Sequence, residues 1–306
     1  MQFPNGKGRS TIIVGVGIVA ALFILAVIAK NPSNSIPIED TYKNIVEKKE
    51  LLSQMRIHLH KSVEMEKSAV MAITDEESQE FANQSLVASA AVEQKLKSLR
   101  ALIDTVPLQD EKKLVGEFTN CWTELSKLDQ IILELAVQNT NLKAASLSQE
   151  KGGEAIQRFE QALEGIRAST AGSPDEGRVT GLICQAMTAG LKLYNLHSPH
   201  IAEANDEKMD HIEAKMKGEE TEVAKSLDAL AGIVGEERRE ALLQAKTAFS
   251  EFMNVTAKVI KLSRQNSNIK SLELSLGRKR KVATQCDEIL AAFQEAVQSR
   301  TFKATR

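Results

Sequence analysis

An uncharged apolar stretch near the amino terminus limits what this chain can fold into more than any other feature. Residues 11–29 (TIIVGVGIVAALFILAVIA) contain no charged residue and no proline. As a helix they would be about 28 Å long, which is close to the thickness of the hydrocarbon core of a bilayer. The stretch therefore predicts a transmembrane anchor. A cleaved signal peptide is the alternative, because Val27-Ile28-Ala29 fits a cleavage site, although the apolar core of a signal peptide usually has only about 7 to 15 residues.

The charges around this stretch predict how the chain is oriented. Lys7 and Arg9 precede it without any acidic residue, whereas the first charges after Lys30 are acidic. Because positive charges favour the cytoplasmic side, we expect residues 1–10 in the cytoplasm and the chain after the anchor outside it. Residues 30–39 are rich in Pro, Asn and Ser and are predicted to form a linker. Every later window of similar length contains several charges, so a single membrane pass is expected.

Composition and motifs exclude several classes of function. A formal net charge of −2 gives no support to nucleic-acid binding. The sequence has no glycine-rich phosphate loop, nucleophile elbow or HExxH motif, so we expect no enzyme activity, no cofactor and no metal site. Cys121, Cys184 and Cys286 lack the spacing of a disulfide framework or a zinc motif, and we interpret them as buried small apolar residues.

The rest of the chain carries the apolar spacing of helices packed in a bundle. Apolar residues recur in steps of three and four, and no strand pattern occurs. Four such helices, separated by short turns, are predicted within residues 40–173, which indicates an up-and-down four-helix bundle. The most regular stripe belongs to the third helix and consists of Leu114, Phe118, Cys121, Leu125, Leu128, Ile132, Leu135, Asn139 and Leu142.

The second half repeats this plan and predicts another four-helix bundle at residues 174–306. At an offset of 131 residues the stripe of the first helix matches a later stripe, with Glu66 aligned to His197. Further on the offset is 127, and the string QNTNLK around Asn139 recurs as QNSNIK around Asn266. The predicted fold class is therefore all-α, with an N-terminal membrane helix followed by two tandem up-and-down four-helix bundles. Periodicity leaves open an alternative in which the two bundles share long helices.

Several local strings of the first bundle resemble a known family. They are Arg56 in the first helix, EKSAV at 66–70 before Asp75-Glu76, the run from Phe118 to Trp122, and LAVQNTN at 135–141 followed by Ala144-Ala145. Together they resemble the four-helix-bundle sensory module of bacterial methyl-accepting chemotaxis receptors over about residues 40 to 170. The resemblance implies a module outside the bacterial inner membrane that dimerises through its first and fourth helices and binds small ligands between helices. The second membrane helix and cytoplasmic signalling region of that family have no counterpart in the sequence, so no signalling output of its own is expected.

Polar residues on the predicted apolar stripes are the candidate ligand contacts. Arg56 is the sharpest candidate, because its guanidinium suits a carboxylate. Glu66 and Asn139 are candidates on the same bundle, and His197 and Asn266 are their counterparts in the second. Each has a structural alternative: Arg56 pairs with an acidic residue of another helix or lies at a dimer seam, Glu66 faces solvent, the two Asn residues fix helix register, and His197 is a satisfied core histidine.

These features predict a non-catalytic, membrane-anchored sensory protein whose main domain is periplasmic or extracellular. A small anionic ligand would bind between helices near Arg56, and a homodimer or a partner membrane receptor would carry the change inward. A structural spacer of the cell envelope and a truncated receptor remnant are the alternatives. The cationic run at residues 278–281 is interpreted as a solvated helix face.

Overall fold

The computed structural model describes residues 38–303, and this part of the chain is helical except for short connections. It contains no strand, which confirms the predicted all-α class. The helices are α1 (Ile38–Met71), α2 (Asp75–Thr105), α3 (Gln109–Ala136), α4 (Thr140–Leu147, a π-helical turn at Ser148–Gly152, and Gly153–Thr170), α5 (Glu176–Asn195), α6 (His197–Ala202), α7 (Asp206–Ala231), α8 (Arg239–Ser263, after a 3-10 turn at Glu236–Arg238) and α9 (Ser267–Leu274, a π-helical turn at Ser275–Lys279, and Arg280–Lys303).

The predicted membrane anchor at residues 11–29 lies outside the described residues, as do the N-terminal segment before it and most of the linker after it. Within residues 38–303, no helix is both long enough and apolar enough to cross a bilayer.

The first of two compact units is a bundle of four helix segments. It contains α1 up to Val63, α2 from Leu86, α3 up to Ser126 and α9 from Lys281. Each segment presents an apolar stripe to the shared core, as the three- and four-residue spacing predicts. Fully buried members of this core include Leu52, Met55, Leu59, Val92, Leu99, Phe118, Leu125, Leu290 and Phe293.

A disulfide between Cys121 of α3 and Cys286 of α9 crosses this unit, with the two Cα atoms 5.7 Å apart. The interpretation of these two cysteines as unpaired apolar residues is therefore wrong. They are 165 positions apart in sequence, and only the packing of α9 beside α3 brings them together. Cys184 is a free, exposed thiol rather than a buried residue.

The second unit has its core among α4, α5, α7 and α8. Aromatic and branched side chains fill it, and α5 packs along α7 while α4 packs along α8. Gly190 of α5 allows α4 to come close, because a Cβ atom there would lie only 3.2 Å from Cδ1 of Ile156 and 3.3 Å from the ring of Phe159. After α5, Pro199 lies inside the short separate helix α6, because proline breaks the hydrogen bonding of a continuous helix.

The repeat is visible in the structure as well as in the sequence. Thr74 Oγ1 caps α2 by accepting a hydrogen bond from the backbone N–H of Glu77 at 3.1 Å. Asn205, which lies 131 positions later, caps α7 in the same way by accepting from Lys208 N–H at 3.0 Å. In both caps a side-chain oxygen accepts a hydrogen bond from the N–H group three residues later, which the helix itself leaves unpaired.

The two compact units do not follow the two halves of the sequence. Helices α5, α7 and α8 are the repeat counterparts of α1, α2 and α3, yet they share a core with α4 from the first half. The first three helices in turn share a unit with the end of α9, from the second half. The predicted boundary between residues 173 and 174 thus lies inside the second unit. A residue with positive φ, Asn139 before α4 and Asn266 before α9, turns the chain at the start of each fourth helix.

Candidate functional site

Asn139 and Asn266 form the turns that redirect the chain. Their φ angles are 50° and 53°, and they are the two non-glycine residues with positive φ among those described. Asparagine tolerates this left-handed conformation better than most residues, because its short amide can bond to the nearby backbone. Both side chains are almost fully buried, at 1 % and 2 % exposed.

The segments after these turns bind each other reciprocally. Thr140 N–H donates to Ser267 Oγ at 3.0 Å, and Ser267 N–H donates to Thr140 Oγ1 at 3.1 Å. One residue further along, Asn141 and Asn268 each donate a backbone N–H to the other's side-chain oxygen, at 3.1 and 3.3 Å. Residues 127 positions apart therefore occupy equivalent places around an approximate two-fold axis within one chain.

The amide groups of the two turn residues complete this network. Asn139 Oδ1 accepts from Asn268 Nδ2 at 3.0 Å, and Asn266 Oδ1 accepts from Asn141 Nδ2 at 2.9 Å. Asn139 Nδ2 donates to Asp75 Oδ1 at 3.0 Å, whereas Asn266 Nδ2 donates to a backbone carbonyl at 3.1 Å. Asn139 Nδ2 also lies 3.4 Å from the backbone carbonyl of Thr74, so the carboxylate of Asp75 is a contact that the first turn has and the second lacks.

An open cleft of about 520 Å³ lies beside Asn139. Its charged members are Asp75, Glu76, Lys143, Glu150 and Lys151, and the others are Ile73, Asn139, Leu142, Ser146 and Leu147. The ammonium of Lys143 lies 2.9 Å from Asp75 Oδ2, and both side chains are nearly half exposed. Hydrogen bonds from Lys143 and then Asn139 hold the pKa of Asp75 below its usual value. The cleft therefore presents fixed positive and negative groups beside apolar side chains.

Arg56 is paired within the first unit. Its Nε and Nη2 atoms donate to the two carboxylate oxygens of Asp287 at 2.8 and 3.0 Å, and Nη1 donates to Gln294 at 2.9 Å. His60 Nε2 lies 3.1 Å from the same carboxylate. The guanidinium is the main cause that lowers the pKa of Asp287, and the Asp287 hydrogen bond raises the pKa of Arg56. The structure thus places an acidic residue of α9 where a ligand carboxylate was predicted.

Glu66 lies in the second unit and is fully buried. Its Oε2 contacts the ammonium of Lys279, which is also fully buried and lies 2.9 Å from Asp129 Oδ1. Burial is the main cause that raises the pKa of Asp129, and the nearby Lys279 opposes this shift. The predicted solvated face at residues 278–281 is therefore wrong for Lys279, which is 0 % exposed.

His197 is a buried residue held at both ring nitrogens. Nδ1 lies 2.8 Å from Ser148 Oγ, and Nε2 lies 3.0 Å from Thr256 Oγ1. The ring stacks on Phe252, with the two ring planes 13° apart. Burial, with a smaller contribution from His200, lowers the pKa of His197 to about 4. The imidazole is therefore neutral at neutral pH.

The structure brings the candidate residues into separate clusters. Arg56 lies in the first unit, whereas Glu66, Asn139, His197 and Asn266 lie in the second, and only Asn139 lines the cleft. The sequence did not identify Lys143 and Asp75 as site residues. The one signal for Lys143 was its place in the repeated QNTNLK string, and the one signal for Asp75 was its place at a helix start. Across residues 38–303, no cluster of three or more His, Cys, Asp or Glu side chains is placed to hold a metal ion.

Comparison with known proteins identifies the family. The family model described as a four helix bundle sensory module for signal transduction matches residues 9–168, which is more than half of the chain. No curated protein sequence matches the chain significantly. The matched region includes α1 to α3, the cleft beside Asn139 and nearly all of α4, and the family is one of sensory modules rather than enzymes. The chain belongs to the family of four-helix-bundle sensory modules of chemotaxis receptors.

Proposed function

We propose that this protein is an extracytoplasmic sensory module that binds a small carboxylate-bearing ligand in the cleft beside Asn139. Residues 11–29 anchor it in the bacterial inner membrane with the N-terminus in the cytoplasm. A partner membrane receptor, or a homodimer, carries the ligand-induced change inward. Membership of a family of sensory modules supports the sensory role. The cleft beside Asn139 is the observation that supports this choice of ligand site.

Two lysines in the cleft, beside three acidic residues, are the groups that a ligand carboxylate would contact. Lys143 and Lys151 supply two cations, while Ile73, Leu142 and Leu147 supply an apolar wall. Lys143 already binds a carboxylate, that of Asp75, in a half-exposed pair. Exposed ion pairs contribute little net stability, so a ligand carboxylate can compete for Lys143 at small cost.

Arg56 is a second proposed ligand position, but a ligand there has a stronger competitor. The guanidinium is about one third exposed and holds Asp287 through two parallel hydrogen bonds. Paired N–H···O contacts of this kind are stronger and more specific than a single lysine contact. A ligand at Arg56 would have to displace both hydrogen bonds to Asp287, whereas a ligand at Lys143 would displace the one contact to Asp75 and leave the bond to the backbone carbonyl of Gln138 in place.

The disulfide supports a location outside the cytoplasm. Disulfides form and persist in oxidising compartments and are rare in the cytosol, where thiols are kept reduced. Cys121 and Cys286 are joined across the first unit. The family match, which begins at residue 9, also includes the apolar stretch that we propose as the anchor.

One observation favours a second candidate, a structural spacer of the cell envelope. The side chains of Arg56, Asn139, His197 and Asn266 all bind groups of the protein itself. A bundle whose internal polar groups are satisfied in this way needs no ligand for its fold. The spacer differs from the sensor in showing no stabilisation by any small molecule.

Thermal unfolding of the full chain in detergent separates the two candidates. The protein is heated with each member of a panel of organic acids and amino acids, and the unfolding midpoint is recorded. A ligand at a hundred times its dissociation constant adds about 2.7 kcal/mol to the free energy of unfolding, which raises the midpoint measurably.

The repeat provides a matched control for the cleft. Lys143 and Lys270 each donate to a backbone carbonyl five residues earlier at 2.9 Å, but only Lys143 lines the cleft. We expect a stabilising ligand to lose its effect in Lys143→Ala and to keep it in Lys270→Ala. A ligand whose effect survives Lys143→Ala would contradict this site, and a panel without any stabilising compound would favour the spacer.

A further inference from the structure

The buried ion cluster of Glu66, Asp129 and Lys279 carries one more negative than positive charge when all three groups are ionised. The side chains are 0 %, 6 % and 0 % exposed. An uncompensated charge in such a place is costly, because water cannot solvate it. The ammonium of Lys279 compensates only one of the two carboxylates.

The carboxylate oxygens of this cluster have too few hydrogen-bond donors around them. Lys279 is the cation that faces both carboxylates, and it donates a hydrogen bond to Glu66 Oε2. Glu66 Oε1 and Asp129 Oδ2 are buried and have no hydrogen-bond partner within residues 38–303, and the one polar contact given for Asp129 Oδ1 is the ammonium of Lys279, 2.9 Å away. A carboxylate normally accepts several hydrogen bonds when it is buried. A protonated carboxyl group carries no charge and accepts fewer hydrogen bonds than a carboxylate, so it fits these surroundings better.

The neighbouring helix α2 supplies no further charge. Its buried side chains in the second unit are Ser78, Ala82 and Ser85, and its charged side chains in that stretch are exposed. The groups that face the cluster are thus Glu66 from α1, Asp129 from α3 and Lys279 from α9. Ser275, one turn before Lys279, is buried and neutral.

The repeat shows that the fold does not require charges at this place. At offsets of 131 and 127, His197 is the counterpart of Glu66, Thr256 of Asp129 and Gly152 of Lys279. There the neutral imidazole binds two hydroxyl groups, at 2.8 and 3.0 Å, beside a π-helical turn of equal length. The same local architecture therefore forms with an uncharged set of side chains, and the charged set calls for another explanation.

We propose that Glu66, Asp129 and Lys279 form a proton-binding site, in which one of the two carboxyl groups carries a proton and external pH controls its occupancy. The raised pKa of Asp129, caused mainly by burial, is consistent with Asp129 as the carrier. The two carboxyl groups share one ammonium, so the proton belongs to the pair of carboxyl groups. The site is independent of the cleft proposed for small ligands and makes the proton a second stimulus.

The pH dependence has a definite sign. The unfolded chain loses this proton near the ordinary aspartate pKa of 3.8, and the folded chain loses it at a higher pH. Stability from the site is therefore complete at low pH and falls as pH rises through the folded-state pKa. Between the two pKa values, one bound proton changes the folding equilibrium constant by up to tenfold per pH unit. Loss of the proton leaves a negative charge among α1, α3 and α9 beside the π-helical turn.

Infrared spectroscopy of the full chain in detergent tests the proposal directly. A protonated carboxyl group has a C=O stretching band that ionised carboxylates lack. We expect this band in the folded wild type at neutral pH and its loss in both Asp129→Asn and Glu66→Gln, because either change leaves one carboxylate with one ammonium. Lys279→Met removes the ammonium and should instead enlarge the band.

Asp287→Asn is the matched control, because Asp287 is an ionised carboxylate paired with Arg56 and its removal should leave the band unchanged. The pH dependence of urea unfolding should agree with the spectra, with the loss of stability towards high pH absent in Asp129→Asn. A wild-type spectrum without the band at neutral pH would overturn the proposal. So would a band that persists in both Asp129→Asn and Glu66→Gln.

Discussion

Removal of the disulfide between Cys121 and Cys286 should destabilise the protein strongly. The bond joins residues 165 positions apart, so it restricts the unfolded chain over more than half of its length. The chain-entropy relation gives about 5 kcal/mol for a loop of this size, and removal of native disulfides typically costs about 2–5 kcal/mol. We therefore expect a loss of about 3–5 kcal/mol in the free energy of unfolding.

The double variant with Cys121→Ala and Cys286→Ala measures this effect. Alanine is preferred to serine, because Cys121 and Cys286 are 7 % and 0 % exposed. A hydroxyl group at these positions would be buried away from water, which costs free energy unless it finds a hydrogen-bond partner. Urea unfolding followed by circular dichroism reports the free energy, and the slope with urea should also rise, because the unfolded state becomes more expanded.

Cys184→Ala is the matched control for the double variant. Cys184 is a free, exposed thiol, and its replacement should change the free energy of unfolding by less than about 0.5 kcal/mol. A double variant as stable as the wild type, with an unchanged slope, would refute the reasoning that the bond acts on the unfolded chain. It would also remove the support that the disulfide gives to an extracytoplasmic location.

Three further predictions concern polar side chains that pair with other groups of the protein. His197 has a pKa of about 4 against an ordinary value of 6.5, so stability should fall as pH drops from about 6.5 towards 4, by up to about 3 kcal/mol. Urea unfolding across this pH range should show that His197→Gln removes the dependence. Asn139→Ala and Asn266→Ala should each cost about 3 kcal/mol in urea unfolding, from two hydrogen bonds and the left-handed conformation; a cost below about 1 kcal/mol would contradict this. Asp287 has a lowered pKa beside Arg56, so its contribution should be lost as pH falls through that pKa, and acid titration of Asp287→Asn should lack this step.

Periodicity identified the buried face of each helix but not the helix that covers it. The stripe of the third helix predicts that Phe118, Leu125 and Ile132 are buried, and all three are. Leu142, at the end of the same stripe, is only partly buried, because α3 ends at Ala136. A spacing of three and four residues reports the orientation of side chains around one helix, and it contains no information on which neighbour they meet.

Pairs of side chains that are far apart in the sequence could not be predicted from it. Arg56 pairs with Asp287, which lies 231 positions later in the sequence. Each of the two residues alone resembles any charged residue on a helix. The run of cations predicts a surface position for Lys279, and only the three-dimensional packing shows that it is buried between two carboxylates. The repeated string around Asn139 and Asn266 is visible in the sequence. Its role as the turn before each fourth helix depends on a positive φ angle, which the amino-acid sequence does not specify.

Helix α4 links the proposed ligand site to the core of the second unit. Its first turns, Thr140–Leu147, carry Lys143 and other members of the cleft, while its last part, Gly153–Thr170, packs against α5 and α8. The π-helical turn between them interrupts the regular hydrogen bonding of the helix, and such turns often mark functional sites. A ligand that draws Lys143 away from Asp75 would therefore act at one end of an element whose other end is fixed in a close-packed core. Since packed cores shift between discrete arrangements rather than deform continuously, a small movement in the cleft can be converted into a shift of α4 against α5 and α8.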